Sequence, residues 1–311
     1  IVGSAGLATL LLGAYIAIFQ HDLKGLLAYS TISHLGLITL LLGLNSELAL
    51  VAAVFHIMNH AAFKASLFMA AGIIDHETGT RDIRRLSGLN RSMPFTTRLA
   101  MVAAAAMAGV PLLNGFISKE MFFAEALSAD APFPLLRGIL PYAALLGSTF
   151  SVTYSLRFIH DVFFNGEPID LPKYPPHEPP RYMKVPVEVL VFLCLLVGVL
   201  PAYTVAPLLA AAAASTLGGA LPEYSLAIWH GFNLPLLMSF VALFGGILVY
   251  TCRKPLFRWY EGLPNLDAKD AFDQVVRYMT RLSVRITKLL ESGSQQRYLA
   301  WMLGSALTLM V

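Results

Sequence analysis

The sequence has few charged residues for its length. Of its 311 residues, 13% are Asp, Glu, Lys or Arg, whereas soluble domains average about 25%. The hydrophobic share is 57% and the mean hydropathy is +0.65. These values exclude an ordinary soluble domain and indicate a chain that lies mostly in a membrane. The formal net charge of +3 gives no reason to expect a nucleic-acid partner.

Several patterns that carry enzyme chemistry are also missing. The two cysteines, Cys194 and Cys252, lie in or beside apolar segments and indicate nothing about the redox compartment. The sequence contains no nucleophilic triad pattern, no Gly-rich phosphate loop and no Cys/His metal cluster. We therefore expect no cofactor and no metal, and a transporter component rather than an enzyme.

Apolar runs divide the chain into eight predicted membrane segments, each near the ~20 residues that span a bilayer. Their approximate bounds are 2–19, 26–44, 48–74, 94–128, 138–164, 186–209, 233–251 and 297–311. Ile1 and Val311 both lie inside apolar runs, so we expect a piece cut from a longer protein. The predicted fold is an all-α, polytopic transmembrane helix bundle.

The basic residues are distributed unevenly between the connections of this bundle. All but three of the 22 Lys and Arg residues fall in connections on one side, and the exceptions are Arg137, Lys64 and Lys119. The loop 210–232, on the other side, contains no Lys or Arg. By the positive-inside rule, the basic side faces the cytoplasm.

Two connections on the basic side have distinctive sequences. Residues 165–186 are rich in proline and predict an extended surface linker. Residues 267–292 have apolar side chains at helical spacing and basic ones on the opposite face, which predicts an amphipathic helix ~37 Å long on the cytoplasmic side. We therefore divide the chain into a membrane bundle over 1–251, a basic amphipathic region over 252–296 and the start of a further membrane helix over 297–311.

One predicted membrane segment carries titratable residues in a single stripe. His56, His60 and Lys64 follow one another at intervals of four residues, so they share one face of a helix. A Lys at the centre of a membrane helix costs roughly 2.5–3.5 kcal/mol and usually marks a proton or ion path. We interpret the stripe as a hydrated proton relay.

Two other interpretations of this stripe are open. The two histidines could form a metal pair, but no carboxylate follows at ligand spacing and the Lys64 ammonium would repel a cation. They could also be buried histidines whose hydrogen bonds are satisfied within the core.

The fourth predicted segment contains residues that disfavour a helix near its middle. Gly109, Pro111 and Gly115 stand in the run AMAGVPLLNGFISKEMFF. Proline removes a backbone donor, and glycine permits non-helical dihedral angles. Transporters use broken helices to position ion sites inside the membrane. We therefore predict a discontinuous helix with Lys119 one turn beyond its break; the alternative is an ordinary loop with Lys119 at its aqueous edge.

A third group of polar residues lies where the first segment meets the second. The run HDLKGLLAYSTISHLG contains Lys24 and His34, which continue a polar stripe into the second segment. In the alternative interpretation, Lys24 reaches the cytoplasmic surface and His34 makes an interhelical hydrogen bond.

We predict that two further sets of polar residues lie at the surface of the bundle. Arg157, His160 and Asp161 share the end of the fifth segment, where we expect pairing in contact with solvent. His230 lies beside Trp229 in the outer loop, which predicts an interfacial aromatic anchor.

These stretches resemble the antiporter-like membrane subunits shared by respiratory complex I and Mrp-type cation/proton antiporters. The matching runs are DLKGLLAYSTISHLG, FHIMNHAAFKASLFMAAG and GVPLLNGFISKEMFFAEAL, which together with the residues that link them cover 21–127. The run ALPEYSLAIWHGFNLPLLMS at 220–239 and the basic amphipathic helix followed by YLAWML are similar to the A component of Mrp-type antiporters.

The resemblance implies roles for individual residues. In that family a Lys in the broken helix ends a hydrophilic axis along the membrane midplane, and its match here is Lys119. The residues that match the central relay are Lys24, His34, His56, His60 and Lys64. The family's other essential pair, a Glu and a Lys on earlier helices, would precede Ile1, so we expect the chain alone to be inactive.

The resemblance also implies the activity and partners. We expect a subunit of a hetero-oligomeric complex in the bacterial plasma membrane, in contact with the lipid bilayer, which moves H⁺ in exchange for Na⁺ or another monovalent cation. The first alternative is a proton-pumping subunit of NADH:quinone oxidoreductase that uses the same residues. The second is a non-transporting scaffold, which is disfavoured because interhelical hydrogen bonds of ~0.6 kcal/mol would not offset a buried Lys.

Overall fold

The computed structural model describes residues 1–129, 134–262, 268–290 and 293–309. Apart from loops and one isolated β-bridge between Asp22 and Asp82, these residues are helical, which confirms the predicted all-α bundle. The helices are α1 (Val2–Phe19), α2 (Leu23–Leu42), α3 (Glu47–Thr78), α4 (Pro94–Ala108), α5 (Asn114–Ser128), α6 (Pro134–Leu156), α7 (Arg181–Val199), α8 (Pro201–Thr204), α9 (Ala206–Leu217), α10 (Leu234–Thr251), α11 (Arg253–Glu261), α12 (Ala268–Leu290) and α13 (Gln295–Leu309). A π-helical segment, Arg157–Asp161, continues α6.

Six helices in the described part of the chain are long and apolar enough to cross a membrane. They are Val2–Phe19, Leu23–Leu42, Glu47–Thr78, Arg137–Asp161, Arg181–Val199 and Leu234–Thr251. Of the eight predicted segments, 94–128 is divided between α4 and α5, which have 15 residues each. The segment 297–311 corresponds to α13, also 15 residues long, and residues 310 and 311 lie outside the described part.

The bounds predicted for the sixth segment were wrong at both ends. The structure has α7 over Arg181–Val199 instead of a helix over 186–209. Because proline disfavours helical dihedral angles at the residue before it, Leu200 leaves the helix and Pro201 begins the short α8. At the other end, the helix begins within the Pro-rich stretch, so the extended connection is shorter than predicted.

The first two helices pack with their backbones in close contact. A Cβ atom added at Gly6 would overlap the backbone of Leu40, and one added at Gly36 would overlap the backbone of Leu10. Small residues at a membrane helix interface permit this approach. The Ser33 hydroxyl also donates to the Leu10 carbonyl at 2.9 Å. These contacts fix α2 so that its polar residues point into the bundle.

The Pro-rich connection lies against the helix ends on the basic side. The Lys173 N–H donates to the Thr78 carbonyl at 3.1 Å. The Glu178 carboxylate accepts from the backbone N–H groups of Phe95 and Thr96 at 2.6 and 3.1 Å. A carboxylate in this position satisfies free donors at a helix N-terminus and interacts favourably with the helix dipole. The connection therefore stabilises the first turn of α4 through these hydrogen bonds.

The chain divides into two units, residues 1–257 and 258–311. The second unit contains α12, the amphipathic helix predicted over 267–292; residues 267, 291 and 292 lie outside the described part. Exposed apolar side chains such as Phe272 and Met279 recur along α12, which also carries Arg277 and Arg281. The bundle that contains the candidate site belongs to the first unit.

Replacing Gly36 with Ala should destabilise the full-length protein, because the added Cβ meets the α1 backbone. Overpacking of this kind costs roughly 1–3 kcal/mol. Gly72→Ala is the matched control, since nothing lies within 4 Å of a Cβ added there. Thermal unfolding of the purified full-length protein should give a lower Tm for Gly36→Ala alone. Equal Tm values for the two variants would contradict the close packing of α1 against α2.

Candidate functional site

A chain of four side chains runs through the interior of the bundle. His34 Nδ1 on α2 lies 3.0 Å from His56 Nε2 on α3. At one end, the Tyr154 hydroxyl on α6 lies 3.2 Å from His34 Nε2. At the other end, His56 Nδ1 lies 3.1 Å from the Ser118 hydroxyl on α5. Four helices therefore contribute one continuous hydrogen-bonded path, which we call the histidine chain.

The histidine chain is shielded from solvent along its whole length. Its members are at most 3% exposed. Each neutral imidazole has one donor and one acceptor nitrogen, so a change of tautomer reverses the direction of every hydrogen bond that the ring makes. The hydroxyl groups at both ends can also donate or accept. This arrangement can pass a proton from one end to the other.

Lys119 on α5 is buried beside the end of another helix. Its ammonium donates to the carbonyl of Ala108, the last residue of α4, at 2.8 Å, and to the Ser151 hydroxyl at 3.1 Å. Carbonyl groups in the last turn of a helix lack intrahelical partners and carry partial negative charge. The C-terminus of α4 therefore provides one acceptor, and α6 a second, for a charged group inside the membrane.

The predicted discontinuous helix is present, with its break between Ala108 and Asn114. Gly109 has a left-handed conformation, with φ of +82°, and a Cβ added there would lie 2.6 Å from Cδ of Lys119. A Cβ added at Gly115 would overlap the Ala106 carbonyl. The break therefore brings the α4 C-terminus onto α5 and leaves space for Lys119. Pro111 stands inside the break.

Lys64 and His60 lie on the same stripe of α3 as His56 but make different contacts. The Lys64 ammonium donates to the Leu27 carbonyl at 3.3 Å and to the Ser30 hydroxyl, and the residue is 4% exposed. His60 contacts the rings of His34 and His56, with centroid distances of 5.4 and 6.2 Å. The structure therefore brings His60 to the histidine chain by ring contact alone.

Lys24 forms an ion pair with Asp75 and makes no hydrogen bond with these groups in the described part of the chain. Its ammonium lies 2.7 Å from the Asp75 carboxylate, and the two side chains are 36% and 32% exposed. The structure thus brings five of the six predicted site residues into the bundle interior and leaves Lys24 in a half-exposed ion pair. A relay role for Lys24 stays a prediction.

Three residues of the site were missed in the sequence: Ser118, Ser151 and Tyr154. The signal that could have found the last two is the polar run STFSVTYS inside a predicted membrane segment. Ser151 and Tyr154 are three residues apart and therefore share a helix face. The partners of Ser118, Ser151 and Tyr154 are His56 on α3, Lys119 on α5 and His34 on α2. Because each partner lies on a different helix from the residue that it contacts, no spacing within the sequence identifies these contacts.

Arg157 and Asp161 do not form the solvated pair that we predicted. They are 3% and 7% exposed, because the π-helical segment lies against the ends of α1 and α10. The Asp161 carboxylate accepts from the Tyr250 hydroxyl at 2.6 Å and from Arg253 at 3.2 Å. Arg157 donates to the carbonyl groups of Ile18 and Gln20 at the end of α1. This buried network joins the ends of α1, α10 and α11 to the π-helical end of α6 on the basic side.

The outer loop contributes polar groups to a cavity of about 300 Å³ rather than an aromatic anchor alone. His230 Nδ1 lies 3.7 Å from the Glu120 carboxylate, and the Asn233 amide donates to the same carboxylate at 3.3 Å. Glu125 and Glu223 also line the cavity. Among the described residues, no group of three or more His, Cys, Asp or Glu could hold a metal ion.

Comparison with known families gives a match over the first part of the chain. Residues 1–141 match the family described as "NADH:quinone oxidoreductase/Mrp antiporter, TM". The chain is 66% identical over 265 residues to the A/B component of a probable K⁺/H⁺ antiporter of Rhizobium meliloti, covering 85% of this chain and 26% of that protein. It is 36% identical over 332 residues to the A component of the Na⁺/H⁺ antiporter of Bacillus subtilis, covering 99% of this chain and 41% of that protein.

Solved structures give the same relationship. The Mrp complex of Dietzia sp. contains a chain that is 34% identical, with a TM-score of 0.80, over 99% of this chain and 33% of that one. Respiratory complex I of Thermus thermophilus contains a chain that is 28% identical, with a TM-score of 0.59, over 70% of this chain and 44% of that one. The chain thus spans less than half the length of each of these relatives.

Replacing Gly109 with Ala should impair the cation/proton exchange that we propose below for the full-length protein, because the added Cβ would displace Lys119. Small displacements of a reacting group can lower rates by roughly tenfold to a hundredfold. Gly218→Ala is the matched control: Gly218 has φ of +68° and also ends a helix, but nothing lies within 4 Å of its added Cβ. Exchange rates in vesicles with equal amounts of protein check this. Equal loss in both variants would mean that backbone strain, and not Lys119, is responsible.

Proposed function

The chain belongs to the superfamily that Mrp-type antiporters share with the antiporter-like subunits of NADH:quinone oxidoreductase, and we propose that it is part of the A component of a monovalent cation/proton antiporter. Six candidate spans make it a multi-pass membrane chain. The proposed setting is a hetero-oligomeric complex in the bacterial plasma membrane. Its proposed substrates are H⁺ and Na⁺ or another monovalent cation.

The observation that carries this proposal is the buried histidine chain together with two buried lysines, Lys64 and Lys119, in the same bundle. A membrane scaffold has no need for two ammonium groups, two imidazoles and a phenol in its interior, since such groups are expensive to bury. Lys119 and Lys64 each have oxygen acceptors, so the charged form of either residue can be held inside the bundle. This is the arrangement expected of a proton path along the membrane midplane.

In the proposed mechanism, protons move along the histidine chain between the environments of Lys64 and Lys119. Lys119 directly follows Ser118, the last member of the chain, on α5. A proton on the chain and the charged form of Lys119 repel each other, and this repulsion is strong inside a low-dielectric protein. Arrival of a proton therefore favours release of the one on Lys119, which couples successive steps.

Na⁺ and K⁺ are both candidates for the transported cation. Relatives of this chain are named as components of Na⁺/H⁺ and of K⁺/H⁺ antiporters. Na⁺ is the proposed substrate, and K⁺ is the second cation in the assay. A proton-pumping subunit of NADH:quinone oxidoreductase is the second candidate, supported by the likeness to complex I over 70% of the chain.

Everted vesicles that carry the full-length parent with its partner subunits test the proposal through a ΔpH-sensitive dye. Respiration first acidifies the lumen, a respiratory inhibitor then stops the pump, and Na⁺ or K⁺ is added. We expect prompt loss of ΔpH with at least one of the two cations, because antiport exchanges luminal H⁺ for external cation.

Two controls define the outcome of this assay. Choline chloride at the same ionic strength and vesicles without the gene should both leave ΔpH unchanged. No response to either cation, together with NADH-driven acidification that requires the gene, would contradict antiport and support the complex I alternative.

A further inference from the structure

The first turn of α4 is capped by a distant part of the chain. The N-cap residue of α4 is Met93, whose side chain has no oxygen to accept a hydrogen bond, and Pro94 follows it. By contrast, α2, α3 and α10 each begin with a polar N-cap side chain that accepts from the helix's own first turn: Asp22, Ser46 and Asn233. The start of α4 therefore depends on a group from elsewhere.

Glu178, in the Pro-rich connection, supplies that cap. Proline has no N–H, and the Thr97 N–H donates to the Met93 carbonyl at 2.9 Å. The two backbone donors that remain in this turn belong to Phe95 and Thr96, and one Glu178 oxygen accepts from both. Its other oxygen accepts from the Thr96 hydroxyl at 2.9 Å. One carboxylate thus makes three hydrogen bonds to this turn, and its negative charge lies at the positive end of the helix dipole.

The position of Glu178 is itself fixed by α7. This helix begins three residues after Glu178, at Arg181. The Lys184 ammonium on α7 lies 3.8 Å from the Glu178 carboxylate and 4.9 Å from the centroid of the Phe95 ring. Hydrogen bonds to a charged group are roughly twice as strong as neutral ones. The start of α4 is therefore held in a defined place by a charged group that a neighbouring helix orients.

We propose that Glu178 is a positioning residue for Lys119 and that it acts through α4. The helix has 15 residues, so it is about 22 Å long. Its last carbonyl, on Ala108, accepts from Lys119 at 2.8 Å, and the chain leaves the helix at Gly109. Because hydrogen bonds join every turn, a shift at the start of such a helix is carried to its end. Glu178 therefore sets where the Ala108 carbonyl lies.

The charges at the two ends of α4 support the same inference. The Glu178 carboxylate lies at the N-terminus and the Lys119 ammonium lies at the C-terminus, so each interacts favourably with the dipole of the same helix. The effect on exchange rests on the proposed function, whereas the effect of Glu178 on the Lys119 contact does not.

Electron cryo-microscopy of the full-length complex with Glu178→Ala tests the positioning without any transport. We expect the distance between Lys119 Nζ and the Ala108 oxygen to exceed about 3.5 Å, beyond hydrogen-bond range. Glu167→Ala is the matched control, because Glu167 lies in the same connection but forms an exposed ion pair with Arg91. An unchanged contact in Glu178→Ala would overturn the proposal.

Antiport rates in vesicles, at matched assembly, test the effect on exchange. We expect the rate to fall roughly tenfold or more in Glu178→Ala. It should fall less in Glu178→Gln, which keeps an oxygen acceptor, and stay at the wild-type value in Glu167→Ala. Thr96→Val, which removes one of the three hydrogen bonds, should give a smaller loss, and it replaces Glu178→Ala in each test if that variant does not assemble. A wild-type rate in Glu178→Ala would overturn the effect on exchange.

Combining Glu178→Ala with Ser151→Ala separates positioning of Lys119 from a general loss of stability. The Ser151 hydroxyl is the second acceptor of Lys119, at 3.1 Å. Substitutions that share no partner have independent effects, so their rate losses multiply. Because these two would together deprive one ammonium of both acceptors, we expect the combined loss to exceed the product of the single losses.

A combined loss no greater than that product would overturn the proposal. Failure of the proposed function would give a different result, since the wild-type complex itself would then exchange no cation.

Discussion

The central constraint on this bundle is that an ammonium group inside a membrane must have oxygen acceptors. Lys119 obtains them from the last carbonyl of α4 and from Ser151. A continuous helix could not offer that carbonyl, because it would be occupied by an intrahelical hydrogen bond. The break between α4 and α5 is therefore what allows Lys119 to be charged at this depth, and Gly109 is the residue that lets the two approach.

The histidine chain depends on the same break. Ser118 reaches His56 only because α5 is a separate helix whose start lies against α3. On the other side, the close packing of α1 and α2 fixes His34 between α3 and α6. Each link of the path thus comes from a different helix, and its hydrogen bonds hold the helices in register. Structure and proposed transport depend on the same contacts.

Two features that lie within single predicted segments could be predicted from the sequence. The stripe of His56, His60 and Lys64 and the discontinuous segment followed from helical spacing and from the properties of Gly and Pro. Contacts between helices could not be predicted, because spacing gives a face but not the neighbour that it meets. For this reason Tyr154 was missed, Lys24 was grouped with residues that it does not contact, and the burial of Arg157 was unexpected.

The most direct test of a transport role for Lys119 is the ΔpH response of vesicles that contain the full-length complex with Lys119→Ala, at matched assembly. Lys288→Ala, a substitution at an exposed position on α12, serves as the control. We predict that Lys119→Ala abolishes cation-driven loss of ΔpH while Lys288→Ala retains it. A wild-type response from Lys119→Ala would contradict this role, since the buried ammonium at the helix break would then have no part in transport.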